Sequence, residues 1–425
     1  MIETLGWHKD QWLDIDRIFI AANNRGLKFA DGIFETILIK ENKPILFDEH
    51  LKRLEKSSKI LNINLKINKL TLRQLIHDGI RKLSLKNDQF ASVRINYSRG
   101  TNEGRTLTID STSETKDLDN IWLEFYRIKP NFNPISVCIS QTEKINEFSL
   151  ISKCKTFSYN QAIQVLTEAN KKSFDDSILL NTSGELCCGS TFNLLIKRNN
   201  QWITPRKKSG CFEGIMVSEA LKLKIVKEEL IPPEFKNDQF ASVRINYSRG
   251  TNEGRTLKID NTSETKDLDN LWLEFYRIKP NFNPISVCIS QTEKINEFSL
   301  ISKCKTFSYN QAIQVLTEAN KKLFDDSILL NTSGELCCGS TFNLLIKRNN
   351  QWITPRKESG CLEGIMVAKA LKLNIVKEEL IPPEFQNDDI IVAINSLSCR
   401  QINQVNCLEF KPKFDPIYFW DLLYS

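Results

Sequence analysis

The sequence predicts a mixed α/β protein of two domains, interrupted by a tandem copy of part of itself. First, residues 86–235 recur as residues 236–385, opening with KNDQFASVRINYSRG and closing with LIPPEF in both places. The copies agree at 141 of 150 positions and differ only at 108/258, 111/261, 121/271, 173/323, 208/358, 212/362, 218/368, 219/369 and 224/374. Architectural repeats run to about 20–50 residues and diverge freely, so this is a copying event inside one gene. Second, with one copy removed a 275-residue unit remains (1–235 joined to 386–425), enough for two domains at about 100–200 residues each. Third, strand-like and helix-like stretches mix without strict alternation, the pattern of α+β or mixed α/β folds.

The elements follow in chain order. Asp48 is placed to cap a helix through EHLKRLEKSSKIL, with Leu51, Leu54 and Leu61 on one stripe. ASVRINYS, NIWLEFYRI and PISVCISQ read as strands. Ser158 is placed to cap NQAIQVLTEANKK, a helix with Ala162, Val165, Leu166 and Ala169 facing inward. DSILLNT is a strand ending at the Thr182-Ser183-Gly184 turn, and FNLLIKR and QWIT flank Asn199-Asn200 as a hairpin. A helix starts near Gly214 and runs through IMVSEALKLKIV. The tail adds a strand in DDIIVAINSL and a terminal segment, FKPKFDPIYFWDLL.

Composition narrows the function classes. Hydrophobic residues make up 41% and charged residues 26% of the chain, as in an ordinary globular protein, and the net charge is +6. Lys and Arg interleave with Glu and Asp, without the one-sided basic patch of a nucleic-acid binder. No apolar run approaches about 18 residues and the opening MIETLGWHKDQW lacks a leader pattern, so the expectation is a cytosolic protein away from membranes. Of twelve cysteines, five lie in each copy, set in apolar runs that suit buried reduced thiols. Adjacent Cys187 and Cys188 lack C-x-x-C spacing, and the three histidines lie outside the repeat, so no metal site is expected.

Several stretches, in order, resemble the class IV aminotransferases, the fold-type IV pyridoxal-phosphate enzymes. They are NRGLKFADGIFETILI with HLKRL, KTFSY, GELCCGSTFNLLIK, TPRKKSGCFEGIM, and INSL in the tail. The resemblance implies pyridoxal 5′-phosphate as cofactor, a small-molecule substrate and the family's habit of dimerising. It makes Lys155, repeated as Lys305, the Schiff-base lysine and proton carrier. Tyr159 and Tyr309 become cofactor contacts. Arg53 becomes the phosphate-binding arginine, since a guanidinium can hold phosphate bidentately. Gly214-Ile215-Met216, repeated as Gly364-Ile365-Met366, opens a helix whose N-terminus suits a phosphate; Ser396 is a further phosphate candidate.

One departure stands out. Where the family carries a glutamate five residues before the asparagine of its Glu-x-x-x-x-Asn motif, counting back from Asn193 and Asn343 gives Cys188 and Cys338. A thiol cannot hold a pyridinium protonated as a carboxylate does, and the weaker electron sink disfavours transamination. The TPR and GIM stretches and SRGTNEGR resemble the family's 4-amino-4-deoxychorismate lyase branch, of folate synthesis, more than its branched-chain or D-amino-acid aminotransferases. In that branch Arg99 and Arg105 become candidates for the substrate's carboxylates. Transamination, or an inactive duplicated relic, is the alternative. The expected domains are a small N-terminal domain (1–127), a first, incomplete copy of the large domain (128–235), repeated small-domain strands (236–277) and a second, complete large domain (278–425). Contiguity with the tail favours Lys305 over Lys155 as the working lysine.

Overall fold

The computed structural model describes residues 4–86, 89–101, 107–108, 120–130, 133–233, 239–240, 280–411 and 414–424. The chain divides into two compact units. Unit 1 holds residues 1–103, 110–259 and 307–310; unit 2 holds 104–109, 260–306 and 311–425. Copy one therefore lies in unit 1 apart from residues 104–109, and the described strands of copy two, except the short one at Gln239–Phe240, lie with the tail in unit 2. The fold is mixed α/β with the repeated topology the sequence predicts. Arg105 and nearly all of 236–277 lie outside the described residues. Among the described residues, no helix is long and apolar enough to cross a membrane.

The N-terminal part of unit 1 is an antiparallel six-stranded sheet. Its elements are β1 (Thr4–His8), β2 (Gln11–Leu13), α1 (Arg25–Phe29), β3 (Gly32–Lys40), β4 (Lys43–Pro44), α2 (Phe47–Leu61), α3 (Lys69–Leu83), β5 (Phe90–Ser98) and β6 (Ile121–Ile128), with strand order β2-β1-β6-β5-β3-β4. Side chains alternate across a strand. The pairings Ile37↔Val93 and Val93↔Phe125 therefore stack one apolar face. That face shares a buried core with Leu51 and Leu54 of α2 and Leu72, Ile76 and Ile80 of α3. The opposite face of β3 and β5 carries Phe34, Arg94 and Asn96.

The rest of unit 1 comprises β7 (Val137–Ile139), α4 (Asn160–Lys171), β8 (Asp176–Leu180), β9 (Leu186–Gly189), β10 (Ile196–Arg198), β11 (Gln201–Pro205), α5 (Ile215–Lys222), β12 (Val226–Glu229) and β13 (Gln239–Phe240). Unit 2 repeats the series as β14 (Ile285–Ile289), α6 (Asn310–Lys321), β15 (Asp326–Leu330), β16 (Leu336–Gly339), β17 (Asn343–Arg348), β18 (Gln351–Pro355), α7 (Ile365–Lys372) and β19 (Val376–Glu379). The tail adds β20 (Ile390–Asn395), β21 (Ser398–Val405), β22 (Leu408–Glu409) and α8 (Pro416–Tyr424).

Nearly identical residues build different sheets in the two units. In unit 2 the β20–β21 hairpin sits between β14 and β17 and completes a nine-stranded sheet. Copy one has two pieces instead, a three-stranded β7-β8-β9 sheet and a four-stranded β12-β11-β10-β13 sheet. Short β13 takes the place of β20 one residue out of register. Lys197 pairs with Gln239, whereas Lys347 pairs with Ile390, the counterpart of Phe240. Among the described residues this ladder has two pairs. Strand β10 is correspondingly shorter than β17.

Local signals hold with small corrections. The Asn199-Asn200 hairpin forms with both residues at positive φ, as a type I′ turn requires. The N-cap of α2 is Leu46 rather than Asp48, whose carboxylate lies in the first turn and meets Lys69 and Arg73. Tyr159, not Ser158, precedes α4. Helix α5 stops at Lys222, and the residues read as its continuation turn at Lys224 (φ 58°) into β12. The aromatic terminal segment is the helix α8, and β1 and α3 have no counterpart in the sequence reading.

The tail is locked by a buried ion pair. Arg348 donates from Nε to Asp389 Oδ1 (2.9 Å) and from Nη2 to Oδ2 (2.7 Å), and Asp389 is fully buried. Removing one partner strands the other charge at a cost of about 3–5 kcal/mol. Asp389→Ala is therefore expected to destabilise unit 2 by about that amount in denaturant titration, against less than about 0.5 kcal/mol for the exposed Asp388→Ala.

Candidate active site

Alternation along GIFETILIK decides the site. Ile33, Glu35, Ile37 and Ile39 point toward α2, so Glu35 is an acid inside an apolar face. A buried carboxylate must be paired, and α2 supplies the partners one turn apart. Arg53 donates from Nε to Glu35 Oε1 (2.7 Å) and from Nη2 to Oε2 (2.6 Å), while His50 Nδ1 lies 2.8 Å from Oε2. Burial alone would raise the Glu35 pKa; the charge and hydrogen bonds of Arg53, helped by His50, override it and hold the carboxyl at about 2.

The third donor of Arg53, Nη1, reaches the Glu213 carbonyl at 3.0 Å. Two of its five N–H groups remain. Glu213 precedes Gly214, which begins α5 with no side-chain cap on the helix. The site thus sets a guanidinium beside an uncapped helix N-terminus, a ready-made anion site. Asn193 fixes the approach, donating from Nδ2 to the Phe212 carbonyl at 2.7 Å. A Cβ on Gly214 would fall 2.0 Å from Asn193 Oδ1, so any larger residue there has to push Asn193 aside.

Lys155 reaches the same place from the other side of β3. Its segment docks strand-like, with Phe34 N–H donating to the Lys155 carbonyl (3.0 Å) and Phe157 N–H to the Gly32 carbonyl (3.1 Å). The half-buried Lys155 Nζ stands 4.5 Å from the Phe34 ring centre and 5.5 Å from that of Phe212. The Arg53 guanidinium lies 4.7 Å from the Phe212 ring. Tyr159 packs on Phe34 at 5.5 Å, and Arg94 lies 3.6 Å from the same ring. Phe212 is one of the nine differing positions; copy two has Leu362.

Cys188 is buried and forms a bridge with Asn193. It packs with Cys187 and Cys211 in a small apolar cluster. Hydrogen bonding to the thiols of Cys188 and Cys211, together with burial, pushes the Cys187 thiol up, so it stays protonated. Glu185 is engaged elsewhere. Although burial opposes it, Ser209 Oγ at 2.6 Å, Arg206 and Asn181 hold its carboxyl below the usual range.

The remaining expected residues are placed as follows. Arg99 donates to Asp31 Oδ2 (2.8 Å) and to the Leu61 and Asn62 carbonyls at the end of α2, so its guanidinium serves the small sheet. In unit 2, Asn343 repeats the bond to the Leu362 carbonyl (2.7 Å), Gly364 precedes α7 with its exposed Ile365 and buried Met366, and Cys338 bridges to Asn343. Lys305 is exposed in unit 2, and exposed Ser396 lies between β20 and β21. Tyr309 falls in unit 1, its N–H donating to the Phe29 carbonyl (2.9 Å). Of the single and duplicated candidates, the structure gathers Arg53, Lys155, Tyr159, Cys188, Asn193 and Gly214 in unit 1. Sequence reasoning assigned no role to Glu35, His50, Phe34, Arg94 or Phe212. A lone acid in an apolar strand was the available signal for Glu35.

The family model described as amino-transferase class IV matches residues 32–242 and again 234–405. Aminodeoxychorismate lyase of Bacillus subtilis is 24% identical over 197 residues, 45% of this chain and 64% of that protein. The matched segment thus spans less than two thirds of that relative. A probable branched-chain-amino-acid aminotransferase of Aquifex aeolicus is 25% identical over 224 residues, 51% of this chain and 70% of that protein. Among solved structures, an aminotransferase from Brucella abortus bound to PLP is 17% identical with a TM-score of 0.49, covering 55% of this chain and 83% of that one.

Glu35 carries a pH signature. Its carboxyl is held far below its unfolded value, so its contribution to stability is complete above about 4.5 and is lost as pH falls toward about 2. Glu35→Gln is expected to lower thermal stability at neutral pH and to flatten the loss between those values, read from melting temperatures across the acid range.

Proposed function

Since this chain belongs to the class IV amino-transferase family, we propose that it transfers an amino group between an amino acid and a 2-oxo acid, with the working site in unit 1. Pyridoxal 5′-phosphate is its cofactor, and the chain is an enzyme of that class. When bound, this cofactor supplies an electron-withdrawing ring that stabilises negative charge at the substrate's α-carbon. The observation carrying the reading is the convergence of Arg53, the α5 N-terminus and Lys155 around Phe212. Four relatives named as branched-chain-amino-acid aminotransferases, putative or probable, favour amino transfer.

The residues fit the cofactor's phosphate end. The remaining N–H groups of Arg53 and the first backbone N–H groups of α5 would hold the phosphate, and Asn193 keeps the Phe212–Gly214 turn closed. Lys155 Nζ is the group that takes and returns the proton at the α-carbon. Phe34 and Phe212 exclude water from its ammonium side. Sequence contiguity favoured Lys305; we assign the role to Lys155 because it shares a ring with Arg53 and Lys305 is exposed in unit 2.

A second reading rests on Cys188. Cys188 occupies the sequence position of the family's ring-nitrogen glutamate, and the nearby Glu185 is held by Ser209, Arg206 and Asn181. That favours an elimination with its own driving force, as in the relative named aminodeoxychorismate lyase. Release of pyruvate from 4-amino-4-deoxychorismate leaves an aromatic 4-aminobenzoate, so a weak electron sink suffices.

Two assays decide. Purified protein is expected to convert 2-oxo acids to amino acids and to release no 4-aminobenzoate from aminodeoxychorismate; the reverse result makes it the lyase, and neither product refutes both readings. Lys155→Ala is expected to abolish turnover, a loss of at least about 1000-fold, while Lys305→Ala leaves it within about twofold. Gly214→Ala displaces Asn193 and is expected to weaken cofactor binding about tenfold, measured by titration of the cofactor's visible absorbance.

A further inference from the structure

Three thiols meet beside the turn that leads into α5. Cys187 and Cys188 lie in β9, buried in one apolar cluster with Val165 and Leu179, and half-buried Cys211 packs against that cluster from the turn itself. Unit 2 repeats the trio in Cys337, Cys338 and Cys361, packed with Val315 and Leu329. All six are free thiols. The trio assembles in two units whose sheets differ, so it is a property of the segment's own packing.

The thiols are not equivalent. Cys187 hydrogen-bonds to Cys211 and holds that thiol below its usual range, against burial and the Glu228 carboxylate. The thiolate is the form that reacts with oxidants, which marks Cys211 as the nucleophile. Cys187 is its partner and not Cys188's. Adjacent residues of an extended strand turn their side chains to opposite faces, and their Cα atoms lie about 3.8 Å apart, closer than the roughly 4.4 Å at which disulfides begin.

We propose that Cys187 and Cys211 are an oxidation site, a thiol pair that a peroxide closes into a disulfide. The Cys211 thiolate attacks one oxygen of hydrogen peroxide and becomes a sulfenic acid; the departing hydroxide takes up the proton that Cys211 released and leaves as water. The Cys187 sulfur then attacks the sulfenic sulfur, and its thiol proton leaves with the sulfenic hydroxyl as a second water. Two thiols and one peroxide give one disulfide and two waters, two electrons passing from sulfur to oxygen.

Closure acts on the neighbouring turn. Sulfurs in hydrogen-bond contact have to approach to about 2.05 Å, which draws Cys211 toward β9. Phe212 and Glu213 follow it in the chain, and their carbonyls accept from Asn193 Nδ2 (2.7 Å) and Arg53 Nη1 (3.0 Å). The disulfide shifts both acceptors and loosens the start of α5. Its consequence for catalysis rests on the reading of this turn as the phosphate site; the thiol chemistry does not.

Peptide mapping with hydrogen exchange tests it in the full chain. The protein is treated with hydrogen peroxide, its remaining thiols are blocked with N-ethylmaleimide, and tryptic peptides are sequenced by mass spectrometry. The copies separate because the Cys187 peptide begins at Ser173, where copy two has Leu323, and the Cys211 peptide contains Phe212, where copy two has Leu362. Fragmentation between residues 187 and 188 assigns the sulfur. The expected result is a disulfide between positions 187 and 211 that dithiothreitol reverses, with amide exchange over 212–218 at least about tenfold faster while it is closed. Cys211→Ser is expected to keep the slow exchange of the reduced chain under the same treatment. A bond from Cys188, a sulfinic acid on Cys211 or no bond at all would overturn the proposal, and a disulfide that leaves exchange over 212–218 unchanged would overturn its action on the turn. Neither readout involves cofactor or turnover, so this test can fail while the proposed activity stands, and the reverse.

Discussion

The Glu35 carboxylate is the constraint around which unit 1 is arranged. It projects from β3 into the apolar layer between sheet and helices, where an unpaired charge would cost several kcal/mol. The fork of Arg53 neutralises it, His50 shares the load, and α2 is thereby fixed in rotation about its own axis. With two donors spent on Glu35, the guanidinium is rigid and its third donor is directed at the turn before Gly214. A guanidinium held in this way loses little conformational freedom on meeting an anion. The preceding residue, Phe34, faces the other way and packs against Lys155, so one strand's alternation sends its two neighbours to opposite sides of β3.

What the duplication leaves single matters more than what it doubles. Two lysines, two asparagine–glycine turns and two thiol clusters exist, but there is one Arg53, one Phe212 and one pair of closing strands. Unit 1 has the arginine and the ring without the tail; unit 2 has the tail without them. Among the described residues the strands of copy one form two separate sheets, where β20 and β21 join the corresponding strands of unit 2 into one. Identical residues form a six-residue strand in one setting and a three-residue strand in the other. Strand length here is a property of the partner rather than of the segment.

Much of this was legible in the residues themselves. The mixed α/β class, the helix carrying Arg53, the Asn199-Asn200 hairpin and the strands of the repeat follow from periodicity and turn chemistry, which are local. The pairing of β13 with β10 one residue out of register was not legible, because it depends on a competition between nearly equal local sequences. Glu35 was readable as a misplaced charge, but its partners lie 15 and 18 residues away. The aromatic pair Phe34 and Phe212 comes from segments far apart in the chain, and no spacing rule links them. Contiguity pointed to Lys305 through loop entropy, a weak term that rises only with the logarithm of length.

The central claim is that Lys155, rather than Lys305, is the lysine that engages the cofactor. Borohydride trapping of the cofactor-loaded chain marks the lysine covalently, and cleavage before aspartates yields peptides that differ at Ser173 and Leu323. The account predicts the pyridoxyl mass on the Ser173 peptide; its appearance on the Leu323 peptide alone would contradict it.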